Sequence, residues 1–241
     1  MQRCCDSWFD EYRLIGRICK GQFPANEVVR TPLSLIERSV MTLLVVIRSL
    51  SLVHVKGLVT ALCQDRERTY RIRSALSELY VVGWLAALVF ILACAARTSG
   101  FWAVVVVYRL VDGFNYSLCI VFVDRYAPGW GLRSRNRSLV LLLFNYIEMI
   151  LGFAYLFLVT QSVRHVPLGT SEPVDLQGAV DALYFSTVTI TTLGYGDFQP
   201  YTATGRILVT LEATGGVVFL ALVLATFLTM TRDDERRPPN G

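Results

Sequence analysis

Lysine is almost missing from this chain: two of its 23 basic residues, Lys20 and Lys56, are lysine and the rest are arginine. Two histidines and six cysteines, with no C-x-x-C spacing and no histidine near a cysteine pair, exclude the usual metal frameworks. None of Cys4, Cys5, Cys19, Cys63, Cys94 and Cys119 falls in the loop expected to face outside, so free thiols are expected rather than a disulfide scaffold. Charge is scarce, at 17% of residues against 54% hydrophobic, which leaves too little polar surface for a soluble domain of 241 residues. Lipid must therefore be part of the solvent. The net charge of +4 is modest and its arginines lie mostly outside the apolar runs, so nucleic-acid binding is not indicated. No nucleophile stands beside a base and no phosphate loop is present, so neither an enzyme nor a cofactor is expected. The first 37 residues lack the short apolar core of a cleaved signal and are expected to remain in the mature chain.

What is present is a series of apolar runs. Leu79 to Ala96 is 18 residues without a charge, enough to cross the hydrocarbon layer. Phe101 to Val123, Ser138 to Gln161 and Ile207 to Thr231 supply three more spans. Val40 to Leu62 is apolar but interrupted by Arg48, His54 and Lys56. Three readings compete for it: an interfacial helix, a small cytosolic element with strand-like alternation from Ser49 to Lys56, or a fifth span. A cytosolic or interfacial place is favoured. Four arginines in the loop from Asp124 to Arg137, four before Leu79 and three after Met230 fall on one side of a four-span chain. That basic side is expected to be cytoplasmic, with both termini inside a multi-pass plasma-membrane protein.

The expected division is a cytosolic or interfacial region over residues 1–76, two peripheral spans with a basic loop over 77–137, a pore module over 138–231 and a short tail over 232–241. A tail of that length is expected to leave no room for a regulatory domain.

Some polar residues lie inside the runs, where a charge is costly and points to function or to a partner. Arg109 and Asp112 are three apart and are expected to pair along one helix. Glu148 lies at a similar depth, which suggests an inter-helix network with Arg109, Asn115 and Asn145. A satisfied polar cluster explains them better than voltage sensing, since a sensor needs several arginines at three-residue spacing, each worth about 2.3 kcal/mol per 100 mV. Glu212, about two turns into the last span, should pack as a hydrogen-bond anchor rather than face ions. Gly215 and Gly216 each weaken a helix by about 1 kcal/mol relative to alanine, which suits either a hinge or close helix packing.

The stretch that organises the rest is Thr187 to Pro200, T-V-T-I-T-T-L-G-Y-G-D-F-Q-P, between the last two spans. Its centre, T-L-G-Y-G-D, resembles the selectivity filter of the single-pore potassium-channel family, the worked example of backbone-carbonyl selectivity. The resemblance covers Asp181 to about Met230. A-L-Y-F-S-T-V-T-I-T-T is similar to the family's pore helix, and Gly205-Arg206 opens a segment similar to its inner helix.

The resemblance implies an all-α membrane protein with four transmembrane helices and a re-entrant pore helix and filter between the last two. It implies that Thr192, Leu193, Gly194, Tyr195 and Gly196 line the ion path, with K⁺ held at Thr192 to Tyr195 and Asp197 at the mouth. Tyr184, Phe185 and Thr191 would support the filter from the pore helix, the Tyr195 ring would wedge behind it, and Gly216 would stand at the inner-helix hinge. Leu193 replaces the commoner valine. Val188 and Phe185 replace residues that in relatives brace the filter aspartate, which leaves the bracing of Asp197 open. One chain supplies one filter strand, so a homotetramer passing K⁺ is implied. A membrane subunit whose N-terminal region gates the pore or recruits partners is the competing reading.

Overall fold

The computed structural model describes residues 35–49, 66–94, 100–122, 135–166 and 174–235. In chain order these form α1 (Leu35–Ser49), α2 (Arg66–Ala93), α3 (Gly100–Phe122) and α4 (Arg135–Thr160). Strands β1 (Val163–His165) and β2 (Val174–Asp175) follow, then α5 (Ala179–Ile190), β3 (Phe198–Pro200) and α6 (Ala203–Glu235). The chain is thus mostly helical, as expected. The strands are an addition that the all-α expectation omitted.

Among the described residues two helices are long and apolar enough to cross a membrane, Leu139–Thr160 within α4 and Ala203–Leu228 within α6. Leu79–Ala93 is a shorter apolar run at the end of α2. The arginine-rich approach to it is not a separate segment, because Arg66 to Ala93 is one continuous helix. Arginine, glutamate, leucine and alanine all favour helix, so nothing in the sequence stops the helix at the membrane boundary.

The chain divides into two compact units, Met1–Tyr80 with Asp112–Ser134, and Val81–Val111 with Arg135–Gly241. In the first, α1 docks on the later half of α3. Met41, Leu44 and Val45 are buried, a spacing that puts all three on one helical face. Asn115 donates from Nδ2 to the Leu44 carbonyl at 3.3 Å, and the Cys119 thiol approaches the same oxygen at 3.8 Å. Leu35, Ile36 and Leu43 stay exposed. Of the three readings of Val40 to Leu62, Leu35–Ser49 is helical; residues 50–62, including most of the strand-like alternation, lie outside the described residues. Tyr80 donates to Asp112 at 3.3 Å in this same unit.

The second unit is built on α4, which packs against both α5 and α6. Tyr155 and Phe157 of α4 and Phe219 of α6 are fully buried there. Gly152 lets α3 approach: a Cβ at that position would stand 2.7 Å from Leu110 Cδ2. Arg109 is buried and forms its ion pair with Glu148 of α4, its guanidinium 5.8 Å from the Trp84 ring centroid. The expected link from α3 to α4 is therefore made by Arg109 and Glu148, whereas Asn115 turns to α1 and Asp112 accepts from Tyr80.

Candidate functional site

The loop between the two apolar helices is held from both ends. At its start, α4 stops where Gln161 takes a left-handed φ of 45°, and the Gln161 amide side chain donates back to the Leu158 carbonyl at 2.6 Å. The chain turns directly into β1. There Arg164 faces Asp175 of β2 on one side and Gln199 of β3 on the other, in a three-stranded antiparallel sheet of order β2-β1-β3. Val166 N–H donates to the Asp197 carbonyl at 2.8 Å and Tyr201 N–H to the Ser162 carbonyl at 3.2 Å. The segment leaving the G-Y-G-D turn is thus tied to the segment leaving α4. Gly205 fits against this junction, since a Cβ there would stand 2.6 Å from the Ser162 carbonyl oxygen.

Helix α5 runs from an extended Gly178 cap to Thr191 and carries Asp181 in its first turn, where a negative charge suits the helix dipole. Its Thr-rich end is satisfied internally, with Thr187 Oγ1 donating to Leu183 O at 2.7 Å and Thr191 Oγ1 to Thr187 O at 2.6 Å. Phe185 is buried and meets Phe157 of α4 edge-to-face at 4.9 Å. Phe198, immediately after the turn, sits among His165 at 4.9 Å, Tyr184 at 5.9 Å and Phe185 at 6.3 Å between ring centroids. Ring packing of this kind between β1, α5 and β3 fixes where the loop re-emerges. Sequence reasoning missed Phe198 as a supporting residue; an aromatic directly after the turn was its only signal.

Beyond α5 the backbone alternates. Thr192 (φ 60°), Gly194 (φ 56°) and Gly196 (φ 81°) are left-handed, while the residues between them are not. Left-handed backbone is cheap for glycine and costly for threonine, so Thr192 marks a strained position of the sort found at functional sites. The first amides are spent on the helix end, with Leu193 N–H and Gly194 N–H both donating to the Val188 carbonyl at 3.0 and 3.3 Å. Farther on, Gln199 Nε2 donates to the Gly196 carbonyl at 3.2 Å.

Thr192 to Gly196 are exposed, Tyr195 by 68%. The Tyr195 ring, expected to wedge behind the ribbon against the preceding helix, is mostly exposed among the described residues. The Asp197 carboxylate lies near enough to Tyr184 of α5 to hold that phenol above the ordinary range.

Helix α6 packs against α5. Glu212 is fully buried, its Oε1 in close contact with the Ser186 hydroxyl, which also lies 2.8 Å from the Ile150 carbonyl of α4. A Cβ on Gly216 would stand 2.6 Å from Ile190 Cγ1 and 2.7 Å from the Ile190 carbonyl oxygen. On Gly215 it would meet only the flexible end of Met149, at 2.8 Å. Close packing thus accounts for Gly216 without a bend, and α6 is one continuous helix through both glycines. Among the described residues no group of three or more metal-ligating side chains is present.

A family model described as "Ion channel" matches residues 146–233, from within α4 to near the end of α6. A probable potassium channel protein of Methanocaldococcus jannaschii is 33% identical over 103 residues, covering 42% of this chain and 26% of the relative. Two-pore potassium channel 4 of Arabidopsis thaliana is 53% identical over 45 residues, or 19% of this chain and 16% of the relative. A human voltage-gated potassium channel, subfamily A member 4, is 35% identical over 95 residues, or 39% of this chain and 13% of the relative. The chain thus spans about a quarter or less of the length of these curated relatives. No solved structure matches. These similarities support a potassium-channel family for the pore region of the chain.

Proposed function

We propose that the protein is a potassium-selective channel in which four identical chains each contribute the ribbon Thr192–Gly196 to one ion path. The observation that carries this reading is the alternation of left-handed residues at Thr192, Gly194 and Gly196, at the end of a short helix held between two apolar helices. Carbonyl oxygens at Thr192, Leu193, Gly194 and Tyr195 would replace the hydration shell of K⁺, which is what makes its dehydration affordable. Asp197 would concentrate cations at the outer mouth. A single ribbon cannot enclose an ion, and its exposure in one chain fits a surface that three further copies complete. The Tyr195 ring would then pack against a neighbouring chain. Potassium would move passively down its electrochemical gradient, through a cell membrane with both chain termini in the cytoplasm, as the arginine distribution favours.

Rubidium uptake into proteoliposomes tests this directly. The protein should pass rubidium and potassium far better than sodium, with block by barium. Gly194→Ala places a side chain on backbone at φ 56° and should abolish uptake while leaving the tetramer intact. Unchanged uptake in that variant would remove the assignment.

A further inference from the structure

Ser186, Glu212 and the Ile150 carbonyl present a problem of hydrogen count. The Ser186 oxygen stands 2.8 Å from Ile150 O and in close contact with Glu212 Oε1, and a serine hydroxyl has one proton to give. The Ile150 carbonyl can only accept. Were Glu212 ionised it too could only accept, and one of the two contacts would set oxygen lone pairs against each other with no hydrogen between them.

The surroundings point the same way. Ser186 and Glu212 are both fully buried, and Glu212 Oε2 has no hydrogen-bond partner. No arginine, lysine or histidine pairs with Glu212 among the described residues. On α4 its titratable neighbour is Tyr146, and Glu148 of that helix is engaged with Arg109. α5 presents the Ser186 hydroxyl to it. A buried carboxylate with no cation and half its oxygens unsatisfied is among the costliest arrangements a protein can hold, whereas a neutral acid leaves only one carbonyl oxygen unpaired.

We propose that Glu212 holds a proton on Oε1 and donates it to Ser186, which donates in turn to Ile150 O, so that a neutral acid positions α5 between α6 and α4. Hydrogen bonds aligned in one direction polarise and strengthen one another. The chain of bonds begins on the inner helix, crosses the pore helix one turn before Ile190 and ends on the outer helix. It thereby fixes how deep α5 sits, and with it the height of Thr192. Glu212 and Ser186 are positioning residues: they hold the ribbon's supporting helix and touch no ion. This role rests on the conducting function proposed above, but the proton itself does not.

Infrared spectroscopy of the tetramer in lipid at neutral pH tests the proton without any flux. The wild type should show the carbonyl-stretch band of a protonated carboxylic acid, lost in both Glu212→Gln and Glu212→Leu; a difference spectrum lacking that band overturns the proposal. Rubidium uptake tests the positioning. Glu212→Gln keeps a neutral donor to Ser186 and should retain uptake within about twofold, while Glu212→Leu and Ser186→Ala should lose roughly tenfold or more. Equal loss in the glutamine and leucine variants overturns the positioning role. If the wild type passes no rubidium, the conducting function fails, and the band still decides where the proton is.

Discussion

The carbonyl oxygen of Ile190 lies 2.7 Å from where a side chain on Gly216 would begin, so α6 passes the last turn of α5 at backbone contact. This distance separates the two glycines of the pair. Gly216→Ala must push α6 away from a rigid backbone atom, at a cost of about 1–3 kcal/mol for overpacking. Gly215→Ala meets a mobile Met149 methyl and should be tolerated. Thermal stability of the purified protein should fall for the first and hold for the second. If both variants keep their stability and lose only opening, a hinge explains the pair better than packing.

Arg109 and Glu148 are buried together, so removing one takes the opposite charge of this pair from the other inside the protein. Glu148→Leu should destabilise by about 3–5 kcal/mol, and Arg109→Leu by a comparable amount. The double variant should recover much of that loss, since a well-packed apolar pair often replaces a buried ion pair at little cost. Denaturation midpoints of the four proteins in one detergent check this; additive losses would count against a shared pair.

Tyr184 stands near the Asp197 carboxylate, which holds its phenol above the ordinary range. Tyr184→Phe keeps the ring beside Phe198 and removes the donor, so the fold should persist. Sustained rubidium uptake should decay faster than in the wild type as the mouth loses its brace. Identical time courses would show that the backbone tie from Val166 to Asp197 suffices alone.

Asn115 reaches across to the Leu44 carbonyl, beside a fully buried Cys119. Asn115→Leu removes that bond, a loss of about 1 kcal/mol, or roughly a fivefold rise in the undocked fraction of α1. Alkylation of Cys119, in a protein whose other cysteines are serine, should accelerate by that factor. An unchanged rate would mean that Met41, Leu44 and Val45 hold the helix without help.

How much of this was legible in the residues depended on the range of the forces involved. The turn and its helix could be read because their requirements are local: glycine where φ must be positive, threonine at a helix end, apolar runs of membrane length on either side. The sheet could not. Strands of two or three residues carry no alternation to detect, and β1 and β3 are separated by the whole of α5 and the glycine turn. Glu212 was recognised as a buried anchor, but its partner Ser186 looks like any helix serine until α5 is packed against α6. Arg109 was expected to have a partner on its own helix and others across to α4; of these the pair with Glu148 is formed in the second unit. Helix α1 begins at Leu35, five residues before the expected apolar segment, because Leu35, Ile36 and Glu37 extend the helix without being needed for its buried face.

The short sheet has a consequence for engineering. Because β1 pairs with β3 on one side and with β2 on the other, β2 forms the edge of the sheet away from the β1–β3 junction. A fluorescent label on exposed Val174 of β2 would therefore sit on that far edge and leave the pairing of β1 with β3 in place.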